Sequence, residues 1–208
     1  TEWGQCPPFK EFAMSAILQP TDTPAPRGRA VQPFDVLDSC HRQVVIALQQ
    51  MDELLEHLAA HGVDGQAQQT ARSIFTFFMN TAREHHLDEE RHIFPALLRS
   101  GRADLIDATL RLQQDHGWIE EDWLELAPQF ESIAAGYHWF NLDQLRLAVP
   151  VFQALYQDHI ALEESLIYPE ARERITAWDL QGMGREMAQR RKRHGQPLPA
   201  DPPEPTLL

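Results

Sequence analysis

Apolar residues recur at alternating intervals of three and four along four long stretches of this chain, a pattern that predicts amphipathic helices. The first three predicted helices cover about residues 35–61, 66–99 and 103–134, and the fourth begins near Asn141, a suitable N-cap. Glycine closely follows each of the first three stretches and favours a helix end there. Four long seams joined by short turns predict an all-α fold, an up-down-up-down four-helix bundle.

The two ends of the chain differ in composition from the helical region. Residues 1–33 contain six prolines, so we expect an N-terminal arm there rather than a long helix. Residues 34–175 form the predicted bundle, and a short fifth helix is expected over about residues 177–194 of the C-terminal segment, residues 176–208. The basic run at residues 190–193 is interpreted as a solvated helix end, and the proline-rich tail after it as disordered.

The charge balance and the cysteine count disfavour several classes of function. The formal net charge is -13 at pH 7, which argues against nucleic-acid binding because phosphates favour a basic surface. No apolar run approaches the roughly 20 residues that span a bilayer, so we expect no membrane segment. The two cysteines, Cys6 and Cys40, are too few for a disulfide framework and favour a reducing, cytoplasmic location.

One motif occurs twice, at residues 85–95 and 159–169. Both copies consist of a histidine, three residues, two glutamates, two residues, an isoleucine, an aromatic residue and a proline. A histidine and a glutamate four residues apart lie one turn apart on the same helix face. In each half, another histidine lies on the apolar seam of the preceding helix. The chain is therefore predicted to contain two similar helical hairpins related by a pseudo-twofold axis.

Six ionisable side chains are predicted to face the core at one level of the bundle. An unsatisfied polar group in an apolar core costs roughly 2–7 kcal/mol, and a shared metal would satisfy all six by neutralising the carboxylates and accepting the imidazole lone pairs. Nitrogen and oxygen ligands without thiolate suit iron, manganese or zinc, and two bridging carboxylates favour a pair of irons. The six residues are His41, His85, Glu89, His116, His159 and Glu163.

This set of motifs resembles the hemerythrin-like, or HHE cation-binding, family, over about residues 34–175. The resemblance implies a non-haem centre of two iron ions joined by an oxo or hydroxo bridge inside a four-helix bundle. Zinc and manganese are substitutes that the same ligands accept. Glu89 and Glu163 would be the bridging carboxylates. The terminal ligands would be the matching histidines, His41, His85, His116 and His159.

The third helix departs from the pattern of the oxygen-carrying members of the family, which have a second histidine four residues after the first. In this chain that position is Glu120, on the same predicted seam as His116. We therefore predict that Glu120 is a direct ligand and that the site is rich in carboxylate. Anionic ligands stabilise ferric iron, so this prediction favours oxidase, peroxidase or sensor behaviour over reversible oxygen carriage.

The adjacent histidines of the first motif copy leave a second register open, in which His86 and Glu90 face the core. The second copy has Ile160 at the corresponding position, which favours the register of His85. In that register, Glu90 and Glu164 are interpreted as hydrogen-bond partners of ligands or as surface groups.

Other residues near this level have simpler interpretations. His92 is expected to be a surface histidine or a hydrogen-bond partner of a ligand, and Trp123 and Tyr156 are expected mainly to pack. A lone histidine on a seam is more often a hydrogen-bonded core residue than a ligand, so a structural bundle without metal is the alternative to a metal site.

The predicted function is that of a di-iron protein that binds or reacts with dioxygen, hydrogen peroxide or nitric oxide. The alternative is an iron- or redox-sensing interaction protein without turnover, whose stability depends on bound metal. In either case a protein partner or a homodimer is compatible with the sequence. Whether the protein is an enzyme is left open.

Overall fold

The computed structural model describes residues 32–193, and all secondary structure within this range is helical. The predicted disordered tail lies outside the described residues. So does the predicted N-terminal arm, except for Gln32 and Pro33. The observed helix bounds follow the sequence prediction closely. The helices are α1 (Pro33–His61), α2 (residues 65–98), α3 (Ala103–Ala134), α4 (residues 142–174) and α5 (Ala177–Arg193).

Helices α2 and α4 are continuous, but each changes to π-helical geometry within its motif copy. The π segment starts at the first glutamate of each motif and ends just before the aromatic residue, as Glu89–Ile93 in α2 and Glu163–Ile167 in α4. The motif proline directly follows the aromatic residue. Proline has no N–H, and in a regular α-helix its ring would clash with the carbonyl group four residues before it. The wider π turn accommodates this proline without ending the helix. A further π segment, Phe77–Ala82, interrupts α2 earlier.

Four helices surround a common core, since α1 and α3 each pack against both α2 and α4. Two apolar clusters fill this core at different levels. Along α1 and α3 the chain runs from the second cluster to the first, and along α2 and α4 it runs in the opposite direction. The first cluster includes Phe78, Trp123, Phe130, Phe152 and Tyr156, and the second includes Phe34, Phe94, Leu97, Tyr168 and Met187.

Helix α5 is part of the packed structure rather than a solvated appendage. Met183 and Met187 lie in the second apolar cluster. Arg190 and Arg191 are only 8% and 3% exposed, so the interpretation of the basic run as a solvated helix end is wrong for both. The guanidinium of Arg191 donates to a carboxylate oxygen of the fully buried Asp88 at 2.6 Å. Arg190 also donates to Asp88.

Replacing Glu186 of α5 with glutamine is expected to destabilise the protein near neutral pH but not in strong acid. Glu186 accepts hydrogen bonds from Arg190 of its own helix and, across the interface with α2, from Arg91 and, at 2.9 Å, from His92. Burial opposes ionisation of this carboxyl, but Arg190 and His92 lower its pKa to about 2 from an ordinary 4.5. The stabilisation is therefore present above the ordinary pKa and is lost as the pH falls towards about 2.

The size of this effect is limited because the Glu186 side chain is 37% exposed and screened by solvent. We expect a difference of about 1 kcal/mol or less near pH 6 between the wild type and Glu186→Gln. Thermal unfolding of both proteins at a series of pH values down to the acid limit of folding measures this difference. A gap that does not change with pH would contradict the proposed ion pairs.

None of the helices within residues 32–193 is long and apolar enough to cross a bilayer.

Candidate metal centre

A buried group of histidines and glutamates lies between the two apolar clusters. The first four helices all contribute to it, and its carboxylates have no exposed surface. Water therefore solvates none of their charge, and protein groups or a bound cation must do so. The buried members are His41 from α1, His85 and Glu89 from α2, His116 from α3, and His159 and Glu163 from α4.

One set of donor atoms forms where α1 faces α2 and α4. Ligand atoms of His41, His85, Glu89 and Glu163 all lie within 4.8 Å of one another. The His41 Nε2 atom is 3.1 Å from Glu163 Oε2, and the His85 Nε2 atom is 3.4 Å from Glu89 Oε1. These four side chains can converge on a single cation.

A second set of donor atoms lies on the α3 side of the same carboxylates. Ligand atoms of Glu89, His116, His159 and Glu163 also lie within 4.8 Å of one another. The His116 Nε2 atom is 3.4 Å from Glu89 Oε2, whereas the other oxygen of this carboxylate faces His85. Glu89 and Glu163 therefore belong to both sets, which is the arrangement that bridging carboxylates require.

His86 lies next to the two histidines of the second set. Its ring stacks on His116 with centroids 4.0 Å apart, and ligand atoms of His86, His116 and His159 lie within 4.8 Å of one another. Neighbouring residues of a helix project about 100° apart. His85 therefore faces His41, at a ring distance of 4.8 Å, while His86 faces α3. In the sequence analysis, His85 and His86 were treated as alternative core-facing residues. The occurrence of two adjacent histidines was the available signal that both can face the centre.

Glu120 is not brought to this group. Its side chain is 51% exposed and pairs with Arg83 of α2 at 2.7 Å. The buried face of α3 passes through Asp115, His116 and Ile119, so Glu120 lies at the edge of that face. The space next to His116 on the α2 side is taken by the ring of His86.

Several donor atoms of this centre have no hydrogen-bond partner among the described residues. Buried polar atoms are normally paired, and each unpaired atom is energetically costly. A cation that accepts imidazole and carboxylate lone pairs would satisfy these atoms, so the donor set fits a metal. The unpaired atoms include His86 Nε2, Glu89 Oε2, His116 Nε2, His159 Nε2 and Glu163 Oε1.

The electrostatics of the centre also favour cation binding. Burial and the charge of His41 hold the pKa of His85 well below its ordinary value, and burial and His116 do the same to His86. Both imidazoles are therefore neutral, the form that binds metals. Burial and the negative charge of Glu163 raise the pKa of Glu89. A cation between the two carboxylates would relieve this repulsion.

The second glutamate of each motif orients a histidine on a neighbouring helix. Glu164 lies 3.1 Å from His41 Nδ1, and Glu90 lies 2.9 Å from His116 Nδ1. In each case the Nε2 atom of the same ring points towards the central carboxylates. A hydrogen bond at Nδ1 fixes the tautomer that leaves the Nε2 lone pair available to a metal.

The aromatic residue of each motif packs on the same histidine. Tyr168 stacks on His41 at 5.2 Å, and Phe94 stacks on His116 at 5.4 Å. Only Tyr168 carries a hydroxyl, which donates to Glu89 Oε1 at 2.5 Å. Sequence reasoning did not assign a role to Tyr168. The signal was its position in the repeated motif, where the other copy has phenylalanine.

One further cluster with donor atoms within 4.8 Å of one another lies outside the centre in the described part of the chain. It consists of Asp88, His92 and Glu186. Its carboxylates are already neutralised by arginines, since Asp88 pairs with Arg191 and Glu186 pairs with Arg190. We therefore interpret this cluster as an ion-pair network between α2 and α5.

Comparison with known proteins agrees with this geometry. The hemerythrin HHE cation binding domain matches residues 32–171, a range that contains every histidine and glutamate of the centre and ends before α5. An uncharacterized protein of Haemophilus influenzae is 29% identical over 161 residues, which cover 77% of this chain and 91% of that protein.

Proposed function

The chain belongs to the hemerythrin HHE cation-binding family, and from this premise we propose that it is a non-haem di-iron protein that binds or reacts with dioxygen, peroxide or nitric oxide. The observation that carries the proposal is the presence of two buried donor sets that share Glu89 and Glu163. Zinc and manganese are expected to bind the same donors. We further infer that the four core helices form an up-down-up-down bundle, because successive helices run in opposite directions between the apolar clusters.

The proposed ligands divide unequally between the two ions. His41 and His85 would hold one ion, and His86, His116 and His159 would hold the other. The shared Glu89 and Glu163 would bridge the pair. With Glu120 outside the site, the set consists of imidazoles and only two carboxylates. Because Glu120 pairs with Arg83 instead of supplying a third carboxylate, reversible oxygen binding is again among the proposed activities.

Two irons would supply the electrons for binding or reducing a small oxidant. The protein groups would hold the ligands rigid and exclude water. Glu90 and Glu164 orient His116 and His41, and the Tyr168 hydroxyl holds a proton against Glu89 Oε1. Because the two central carboxylates are fully buried, bulk water does not contact them.

Reconstitution with ferrous iron in the absence of oxygen tests the proposal. We expect a pair of iron ions per chain by elemental analysis, followed by a new near-ultraviolet absorption when dioxygen or peroxide is added. Nitric oxide added to the ferrous protein should give a different visible spectrum. Protein that binds no iron, or whose iron gives no spectral response to any of the three molecules, would overturn the proposal.

Replacing His86 with alanine is expected to lower the iron content from a pair of ions to a single ion. The change removes one of the three imidazoles proposed for the second ion. Loss of a hydrogen-bond partner of a ligand typically lowers metal affinity by about 10- to 100-fold, and loss of the ligand itself should lower the affinity for this ion at least as much. Iron per chain after dialysis against a weak chelator gives the answer.

Glu120→Gln is the matched control for His86→Ala, because Glu120 was predicted from sequence as the ligand at this position. Its exposed side chain should be dispensable for iron binding. If Glu120→Gln loses iron and His86→Ala keeps it, the assignment of the second set is reversed.

The alternative function, iron or redox sensing through a partner, has one specific observation in its favour. Asp88, which holds Arg191 of α5, is the immediate neighbour of Glu89 in the sequence. Iron binding at Glu89 could therefore change the docking of α5. Turnover of peroxide with a reductant would favour an enzyme, whereas absence of turnover combined with iron-dependent proteolysis of α5 would favour a sensor.

A further inference from the structure

A cavity of about 550 Å³ opens between α2 and α3 and reaches the second donor set. His86 and His116 line it, together with the aromatic rings of Phe78, Trp123 and Tyr156. Cavities that hold organic ligands have volumes of about 300–1,000 Å³. A diatomic gas needs far less room, so the size of the cavity is not explained by the passage of dioxygen or nitric oxide.

Gly117 lines the same cavity, and neither the backbone nor the packing requires a glycine there. It lies inside α3, where glycine is less favourable than alanine. Its φ is not positive, unlike that of Gly62, Gly101 and Gly136. A Cβ atom at Gly117 would meet only the Gln114 side chain, at an ordinary contact distance of 3.8 Å. A larger side chain at this position would occupy part of the cavity, so the glycine keeps this space open.

The wall of the cavity contains several aromatic rings, and one of them has a buried, unpaired hydrogen-bond donor. The Phe78 ring lies 4.9 Å from Trp123 and 5.6 Å from Tyr156. Trp123 is buried, and its Nε1 donor has no hydrogen-bond partner within residues 32–193. An oxygen atom on a ligand would satisfy this donor.

The charged side chains of the wall do not favour a charged ligand, because each already has a partner. Arg83 pairs with Glu120, and Glu90 hydrogen-bonds His116. Glu84 pairs with Arg190 of α5. A ligand of either charge would therefore find no free counter-ion in the wall, and a neutral molecule fits better.

We propose that this cavity binds a neutral aromatic molecule that carries a hydroxyl group, of the class of phenols and quinols. The aromatic body packs against Phe78, Trp123 and Tyr156, and its oxygen accepts the Trp123 N–H. The ligand lies beside His86 and His116, the two imidazoles that line the cavity. The proposal goes beyond the reaction with small oxidants and does not depend on the identity of the metal, because the wall consists of protein alone.

Calorimetric titration of the full chain with 2-naphthol tests the proposal, with decahydro-2-naphthol as a non-aromatic control of similar shape. We expect saturable binding of 2-naphthol and at least tenfold weaker binding of its saturated analogue. Gly117→Leu, which fills the cavity, should weaken 2-naphthol binding at least tenfold. Trp123→Phe keeps an aromatic wall but loses the donor, and should weaken binding by up to about tenfold, as for one hydrogen bond.

Gly182→Leu is the matched control, since Gly182 lies inside α5, away from this cavity, with no atom within 4 Å of an added Cβ. It should bind 2-naphthol like the wild type. If Gly117→Leu does not fold, Gly117→Ala replaces it, because the local packing tolerates a Cβ atom at this position. Gly117→Ala should also weaken 2-naphthol binding, but by less than Gly117→Leu. Wild-type protein that does not bind 2-naphthol, or Gly117 variants that bind it unchanged, would overturn the proposal. Iron content measured on the same samples separates this failure from a failure of the metal centre.

Discussion

Glu163→Gln is expected to lose most of its bound iron. Glu163 is fully buried and belongs to both donor sets, so its replacement affects both proposed ions at once. An amide is a neutral and weaker ligand than a carboxylate, and the buried cations would lose half of their compensating carboxylate charge. We expect iron affinity to fall by more than about 100-fold, which is beyond the effect of losing an outer hydrogen-bond partner. Competition with a chromophoric chelator measures this change.

The adjacent Glu164 is the natural control for this variant. It is also a glutamate of the motif, but its side chain is 56% exposed and pairs with His41 Nδ1, the ring nitrogen that faces away from the central carboxylates. Glu164→Gln should weaken iron binding by about 10- to 100-fold, the usual effect of a partner that orients a ligand. Equal iron affinities for Glu163→Gln and Glu164→Gln would show that the first glutamate of the motif is not a ligand.

The helices of this protein could be predicted from sequence because local signals mark their ends. The predicted third helix, residues 103–134, coincides with α3. Asn141 caps α4 through its side chain, as its residue type suggested. The π segments could not be derived from periodicity, since each covers little more than one turn and shifts the spacing of apolar residues by only one position.

The site was predicted less completely than the helices because a seam defines a face only to within one residue position. His86 and Glu120 both lie at the edges of such faces. Which of them turns inward depends on how α2 and α3 pack, and in the structure Arg83 holds Glu120 outside. A pairwise contact of this kind has no signature in the spacing of a single helix.

The two halves of the centre are similar but not equivalent. Both motif copies supply a glutamate that belongs to both donor sets, a second glutamate that hydrogen-bonds a histidine of a neighbouring helix, and an aromatic ring that stacks on the same histidine. The copies differ at six positions, and two of these lie at the centre, where the first copy has His86 and Phe94 and the second has Ile160 and Tyr168. One donor set is therefore richer in imidazole, and the other lies beside a phenolic hydroxyl. This difference provides a physical basis for unequal roles of the two proposed ions.

Helix α5 extends the family domain, because the family match ends at residue 171 and α5 begins at Ala177. Its buried arginines could not be recognised from composition, since a run of basic residues at a helix end is usually solvated. The partner that buries them is Asp88, a carboxylate inside the first motif copy. No role for Asp88 was predicted from the sequence, and the second copy has Leu162 at the corresponding position.

Asp88→Ala is expected to destabilise the protein by about 3–5 kcal/mol, because it leaves the buried guanidinium groups of Arg190 and Arg191 without their shared carboxylate. Burial itself raises the pKa of Asp88, although both arginines lower it, so the network is held in place against a desolvation cost.

Urea unfolding of the metal-free protein measures the change in free energy without interference from iron. Asp38→Ala, which breaks a partly exposed ion pair with Arg172, is the control and should cost about 1 kcal/mol or less. Combining Asp88→Leu with Arg191→Met, while Arg190 keeps its pairs with Glu84 and Glu186, should restore much of the lost stability, because the buried pair of Asp88 and Arg191 is then removed as a unit. If Asp88→Ala is no more destabilising than Asp38→Ala, the contact between α5 and α2 does not depend on these ion pairs.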